Sequence, residues 1–324
     1  MRAIRVAALG GPSAVELTEV DEPEGGGGIV VDVHAAGVAF PDALLTRGLY
    51  QYRPELPFTL GAELAGVVRS APPGAPVRAG GRVAGLTMIT GAMAETVVLD
   101  AERVFPLPDN VSFEAGAGLL FNDLTVYFAL TVRGRLAAGE TVLVHGAAGG
   151  IGTSTVRLAP ALGAGRVIAV VSTEDKRDVA IAAGADDVVL ADGFKDAVAE
   201  LTAGKGVDIV MDPVGGDRFT DSLRSLAPGG RLLVVGFTGG EIPTVKVNRL
   251  LLNNVDVVGV GWGAWTLGHP GALAEQWAGL AALLTSGKLA APQPQVFPFD
   301  RAAEAVASLE ERTARGKVVL RVRD

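Results

Sequence analysis

The sequence predicts an α/β protein of two domains, in which a β-rich unit assembled from both ends of the chain encloses a unit with a doubly wound parallel sheet. Three observations predict it. Residues 1–121 alternate short apolar runs with Gly/Pro turns. From residue 122 strand-like and helix-like segments alternate, and the stretch HGAAGGIG at 145–152 joins a buried apolar strand to a helix. After residue 262 that rhythm stops, and the chain closes on helices and one last strand, KVVLRV. The expected domains are therefore 1–121 completed by 263–324, with 122–262 inserted between them. The insertion explains why the glycine loop begins so late.

Taken in order, MRAIRVAALGGP alternates like a strand, and IVVDVHAAGV, LAGVVRS, GRVAGL and AETVVLD follow as further strands. GGGG at 25–28 and APPGAPVRAGG at 71–81 supply turns among them. In the inserted unit TVLVHGAAGGIG is a strand running into glycines, after which Ile151, Thr155, Leu158 and Leu162 recur at helical spacing. Pro160 should kink that helix or end its regular bonding, because proline has no N–H to donate. RVIAVVS is the next strand, EDKRDVAIAAGA the next helix, and VVL, VDIVMD, RLLVVGF and VDVVGVGW the remaining strands. Continuous apolar strands of this kind belong to a parallel sheet covered on both faces. A helix near 270–287 and a second, DRAAEAVASLEERTARG, precede the closing strand.

Composition narrows the function. Apolar residues are 49% of the 324 and aromatics only 5%, so the core is built of Ala, Val and Leu. The net charge of −8 and the lack of a basic cluster disfavour a nucleic-acid or anionic-membrane surface. With no cysteine, disulfides, thiolate catalysis and Cys-ligated zinc are excluded. No run approaches the roughly 18 uninterrupted apolar residues of a membrane helix, AGAGLLFNDLTVYFAL being broken by Asn122 and Asp123. A soluble cytoplasmic protein is expected.

Gly146, Gly149 and Gly152 stand between a strand and a helix. Glycine lets the backbone turn sharply and approach a pyrophosphate, while the helix N-terminus offers unpaired N–H groups and the positive end of its dipole. The competing reading is a structural turn with close helix–sheet packing. An NAD-binding domain usually carries Asp or Glu about 20 residues further on, for the ribose hydroxyls. Here the next strand ends at Ser172, and Lys176 follows within a helical turn. A hydroxyl and an ammonium suit a 2′-phosphate, so NADP is favoured; Ser172 and Thr173 can also serve as helix caps.

The segments AAGVAFPDALLTRGLY, LGAELAGVV, HGAAGGIG and DPVGGDRF, with the ending GKVVL, resemble the zinc-independent quinone oxidoreductases of the medium-chain dehydrogenase/reductase superfamily, in the same order over the whole chain. That resemblance implies a GroES-like catalytic domain joined to a Rossmann domain, NADPH bound in the cleft between them, and a homodimer paired through the last Rossmann strand, here VDVVGVGW. It implies cofactor contacts at Gly149, Gly150 and Ile151, at Ser172 and Lys176, at Thr125 in NDLTVY, at Gly236, Phe237 and Thr238, at Trp262 and Gly263, and at Arg312. Four of them have a plainer alternative: a satisfied helix residue for Thr125, packing for Phe237, hinge or dimer packing for Trp262, an exposed helix arginine for Arg312. The tyrosine that often joins the 2′-phosphate site aligns with Ala191.

Zinc relatives place Cys and His ligands where this chain has Ala39 and Ala62, and only Glu63 of the Gly-His-Glu pattern survives. One carboxylate does not hold catalytic zinc, which takes three protein ligands. No metal is therefore expected, and His34, His145 and His269 read as packed or surface residues. Quinone oxidoreductases commonly carry Asn at the position of Ala39, facing the reaction site, so the substrate loses an amide partner here. Asp42 and Tyr50 match the family as candidate catalytic residues. Tyr50 either donates a hydrogen bond or proton to oxygen that gains charge or only lines the pocket; Asp42 either fixes its loop or acts in catalysis. The function expected is NADPH-dependent reduction of quinones or related activated carbonyl compounds, small electrophiles that react without a Lewis acid. The alternatives are reduction of 2-enoyl thioesters or enones, and a non-catalytic NADPH-binding sensor or partner protein.

Overall fold

Ten residues of nearly unbroken small and branched apolar side chains make Ile29–Val38 the axis of one sheet. Branched side chains pack well on a pleated surface, and the alanines and Gly37 let neighbouring strands close in. The structure, a computed structural model, describes residues 1–323. The sheet has seven strands: Gln295–Pro298, Val318–Arg321, Ile29–Val38, Glu63–Ser70, Arg82–Leu86 and Val104–Pro106 in spatial order, with Thr96–Leu99 also paired to Ile29–Val38. The end of the chain thus bonds to a strand near its start, antiparallel, with Val318 opposite Val38 and Arg321 opposite Ala35. A separate antiparallel sheet of three strands is made by Val15–Glu19, Arg2–Val6 and Phe58–Thr59. Ile4, Val31, Leu64, Met93, Val306 and Leu320 meet in one buried core. These elements belong to a compact unit comprising Met1–Leu124 and the residues from His269 onward.

The other compact unit is Thr125–Gly268. Its six strands run Asp187–Leu190, Arg166–Val171, Thr141–His145, Val207–Asp212, Leu226–Val234 and Asp256–Gly259 across the sheet, every pairing parallel. Thr141–His145 comes first in the sequence and lies in the middle, with Arg166–Val171 on one side and Val207–Asp212 on the other. The winding reverses there. In open α/β sheets the ligand crevice lies beyond the carboxyl ends of the strands at such a switch. Helix Gly150–Ala161 follows the central strand, and Pro160 falls in its last turn without ending the regular bonding, since the Leu162 N–H beyond it still bonds the Leu158 carbonyl at 2.9 Å.

Three details depart from the sequence reading. Residues 263–268 lie in the second unit, because Trp262–Leu267 is a helix whose Trp265 packs on Phe128, 4.7 Å between ring centroids. The last helix is Ala302–Glu310, shorter than its charged pattern suggests. There the Ser308 carbonyl accepts the N–H groups of both Thr313 and Ala314, and Arg312 takes φ 59°, so the chain turns instead of continuing. Finally, 113–133 is one continuous helical stretch, long and apolar enough to cross a membrane by length and composition, but most of it is buried inside the protein. Its π-type turns at Leu119–Asp123 and Ala129–Arg133 widen the helix on either side of Leu124–Phe128.

Candidate active site

The central strand of the second unit ends at His145, and Gly146 turns the chain with φ 58°, the left-handed region that favours glycine. Gly149 N–H closes the loop on the Gly146 carbonyl at 2.9 Å, and Gly149 caps the helix. Gly150 and Ile151 form its first turn, so their N–H groups have no partner within the helix. Gly152 explains the third glycine: a Cβ there would stand 2.1 Å from the Gly146 oxygen and 2.5 Å from Ala147 Cα. Loop and helix therefore touch backbone to backbone, leaving a concave cradle of amides at a twelve-residue helix's positive end. These residues fit a nucleotide pyrophosphate.

At the end of the neighbouring strand Lys176 Nζ donates to Ser172 Oγ at 3.3 Å, so the two predicted residues do come together. Thr173 is the helix N-cap but makes no side-chain capping bond, and Ser172 is exposed. The adjoining Glu174 carboxylate is drawn to Arg177 at 2.6 Å. Ala191 N–H bonds the Val171 carbonyl at 2.8 Å, which sets Ala191 next to Ser172.

On the other side of the switch point, Thr238 N–H and Oγ both donate to the Pro213 carbonyl at 3.1 Å, and Gly239 N–H donates to Val214 at 2.8 Å. Gly236, Phe237 and Thr238 thus sit on the 213–215 turn. That turn is itself organised by Asp212, whose Oδ1 accepts the Val214 and Gly215 N–H groups at 2.9 Å each. Burial raises the Asp212 pKa. Phe237 is 38% exposed, too open for a core residue. Thr125 is buried at the start of this unit, and Trp262 is buried at the first position of its helix. Around Gly263 the space is open, with no atom within 4 Å of where a Cβ would stand.

His145 is a packed residue. Phe194 meets its ring edge-on at 4.8 Å, and Nε2 lies 2.8 Å from Ser222 Oγ. That hydroxyl donates to the Arg218 carbonyl, so it accepts from His145, which places the imidazole proton on Nε2. Burial, and then the charge of Arg218, push its pKa down to about 3. His34, in the other unit, stacks on Phe113 at 4.3 Å.

In the first unit Asp42 belongs to the helix Phe40–Thr46 and is buried. Its Oδ2 accepts the Ala39 N–H at 2.8 Å and its Oδ1 the Gly61 N–H at 3.1 Å. One carboxylate therefore ties together the two loops that carry Ala39 and Ala62. Burial pushes the Asp42 pKa up to about 6, against the two N–H bonds. Tyr50 is half-buried against the core of this unit, and burial raises its pKa, so its phenol stays protonated. Arg312 is in this unit too, exposed, just past the last helix. Lys317 has a role that no sequence motif marks. Its Nζ sits 2.6 Å from Glu63 Oε1 and donates to the Val38 carbonyl at 3.0 Å, while Glu63 Oε2 accepts the Phe121 N–H at 2.8 Å. The only signal for it was GKVVL, which fixes the strand but not a partner 254 positions earlier in the chain.

Two family models match: an alcohol dehydrogenase GroES-like domain over residues 25–109 and a zinc-binding dehydrogenase over 150–286. The residues present do not fit the zinc ion that the second description implies: positions 39 and 62 are methyl groups, and Glu63 already holds an ammonium. Quinone oxidoreductase-like protein 2 of Rattus norvegicus is 37% identical to this chain, covering 90% of it and 83% of that protein. Among solved structures, a probable oxidoreductase from Mycobacterium abscessus superposes with TM-score 0.89 at 42% identity, over 99% of this chain and 98% of that one. Escherichia coli quinone oxidoreductase, solved in complex with NADPH, gives 0.87 at 29% identity over 99% of each chain. Strand order, glycine cradle and sequence likeness agree, and the chain belongs to the quinone oxidoreductase family of the medium-chain dehydrogenases/reductases.

Proposed function

We propose that this protein is an NADPH-dependent oxidoreductase that reduces quinones or similarly activated carbonyl compounds without zinc. The observation that carries the reading is the Ser172–Lys176 contact beside the glycine cradle. The amides of Gly149, Gly150 and Ile151 hold the pyrophosphate, aided by the helix dipole. Ser172 and Lys176 hold the 2′-phosphate, to which a hydroxyl and an ammonium give charge-assisted bonds. Gly236, Phe237, Thr238, Thr125, Trp262 and Gly263 take the nicotinamide end, with close approach open at the Gly263 backbone; Arg312 meets the adenosine end. When bound, NADPH supplies a hydride. The electrophilic acceptor lies against Ala39, and Tyr50, protonated at neutral pH, donates a hydrogen bond to the acceptor oxygen as it gains charge. Asp42 keeps the loop in place.

The working form is a soluble, cytoplasmic homodimer. Asp256–Gly259 ends its sheet, and Leu251, Leu252 and Val257 are 76%, 74% and 37% exposed on that strand and the helix before it. An open strand edge flanked by leucines suits a second copy.

The test is oxidation of NADPH and of NADH, side by side, with an ortho-quinone, a para-quinone, an enone and an enoyl thioester. Rapid NADPH turnover with the quinones and little with NADH is the expected result. Turnover confined to the enone or thioester would make the protein a double-bond reductase. Tight NADPH binding with no turnover on any of the four would make it a binding protein.

A further inference from the structure

The hydrogen bonds of Lys317 and Asp42 converge on a single peptide unit. Lys317 Nζ bonds the carbonyl of Val38, at 3.0 Å, and Asp42 Oδ2 bonds the N–H of Ala39, at 2.8 Å. These are the two polar ends of one planar amide. A cation stands at its negative end and a carboxyl at its positive end, both side chains almost fully buried at 4% and 1% exposure. Neither is held by that peptide alone. Lys317 is anchored by Glu63, and Glu63 by the Phe121 N–H; Asp42 is anchored by the Gly61 N–H. The surrounding backbone is cut to fit the ion pair. A Cβ on Gly37 would stand 2.8 Å from Glu63 Oε1 and 2.3 Å from the Ala117 oxygen, and one on Gly118 would stand 2.9 Å from Lys317 Cγ.

We propose that Lys317 and Asp42 are positioning residues for the acceptor site: they grip the Val38–Ala39 peptide at both ends and so fix the face that residue 39 presents. The inference rests on the reading above, in which the acceptor lies against Ala39. Alanine brings no side-chain bond of its own, so the orientation of this wall depends on its backbone, and the clamp holds that backbone in the extended geometry of φ −131° and ψ 160°. Misplacement of a site wall by about an ångström costs up to roughly a hundredfold in rate. A buried ion pair that merely stabilised the fold would be replaceable by neutral side chains of similar shape.

That difference sets the test, made on the full-length protein with Lys317→Met, with the double variant Glu63→Gln/Lys317→Met and with Asp42→Asn. Four quantities are read: melting temperature, the Kd for NADPH by fluorescence, amide hydrogen exchange over residues 38–46, and kcat with KM for the acceptor. Lys317→Met leaves a buried carboxylate unpaired and should melt below wild type, whereas the double variant should regain most of that loss. In both, and in Asp42→Asn, exchange over 38–46 should rise and kcat should fall by about tenfold or more, with the NADPH Kd unchanged within about twofold. A double variant with wild-type exchange and wild-type kcat would overturn the clamp and leave the pair a purely structural one. Were the wild type to bind NADPH yet turn over no acceptor, the proposed function would fail, and the exchange data alone would still decide whether the clamp exists.

Discussion

Replacing Gly152 by alanine puts the cofactor cradle to a direct test. The added methyl would sit 2.1 Å from the Gly146 carbonyl oxygen and 2.5 Å from Ala147 Cα, both backbone atoms. No rotamer relieves that overlap. Helix Gly150–Ala161 must move away from the loop by more than an ångström, or the loop must open. Alanine favours the helix over glycine by about 1 kcal/mol. Overpacking costs about 1–3 kcal/mol, so a net destabilisation of up to about 2 kcal/mol is expected. The effect on binding should be larger, since the displaced amides are those assigned to the pyrophosphate. Losing two bonds to a charged group, at about 1.5 kcal/mol each, removes about 3 kcal/mol, or a hundredfold in Kd. Fluorescence titration with NADPH and denaturant unfolding of the apo protein read the two quantities separately. A variant that unfolds like wild type and binds NADPH within about threefold of it would refute the assignment of this loop to the pyrophosphate.

Other consequences are equally open to measurement. The double variant Ser172→Ala/Lys176→Ala should raise the Kd for NADPH by about tenfold or more and leave that for NADH unchanged, because only the 2′-phosphate is deprived of partners. Buried His145 has its pKa lowered to about 3, so its stabilisation is present above pH 6.5 and is lost as pH falls toward 3. Asp42 acts with the opposite sign: raised to about 6, it contributes stability below pH 3.8 that is lost as pH rises through 6, up to about 3 kcal/mol. The two slopes oppose each other between pH 4 and 6, and Asp42→Asn should therefore lose stability more steeply than wild type on acidification through that window, as read by urea unfolding at a series of pH values. Leu251→Glu/Leu252→Glu places charge on the exposed helix Asn248–Asn253 and should yield a monomer by sedimentation with NADPH binding intact; an unchanged dimer would move the interface elsewhere.

The sequence showed what local sterics decide. TVLVHGAAGGIG announces its strand, turn and helix because glycine is favoured at the φ of 58° of Gly146 and a Cβ is excluded by the backbone contact at Gly152. Ser172 and Lys176 were legible for a similar reason, one helical turn being a short-range distance. The end of the last helix was not, since EERTARG carries good helix formers and only the turn at Ser308 overrides them. Strand Leu226–Val234 likewise starts several residues before RLLVVGF, running through Pro228, Gly229 and Gly230, because its neighbour Val207–Asp212 supplies the pairing despite a register shift. Thr173 looked like a capping side chain and makes no such bond. The Lys317–Glu63 pair and its grip on Val38 lay furthest out of reach, as nothing in GKVVL or GAELAG signals that the fold will place them together.

The pairing of Val318–Arg321 with Ile29–Val38 also fixes a timetable for synthesis. At about 5–20 residues per second, the long strand waits on the order of tens of seconds for the partner that covers its edge. The unit Thr125–Gly268 is contiguous and can fold on the ribosome during that wait. Glu63 meanwhile stands without its ammonium, and the peptide at Val38–Ala39 without its donor, until Lys317 leaves the exit tunnel. The nascent chain thus completes its glycine loop early and the contacts of the Val38–Ala39 peptide late. A chain cut before Lys317 would keep the glycine loop of the contiguous unit and lack the ammonium that bonds Glu63 and the Val38 carbonyl.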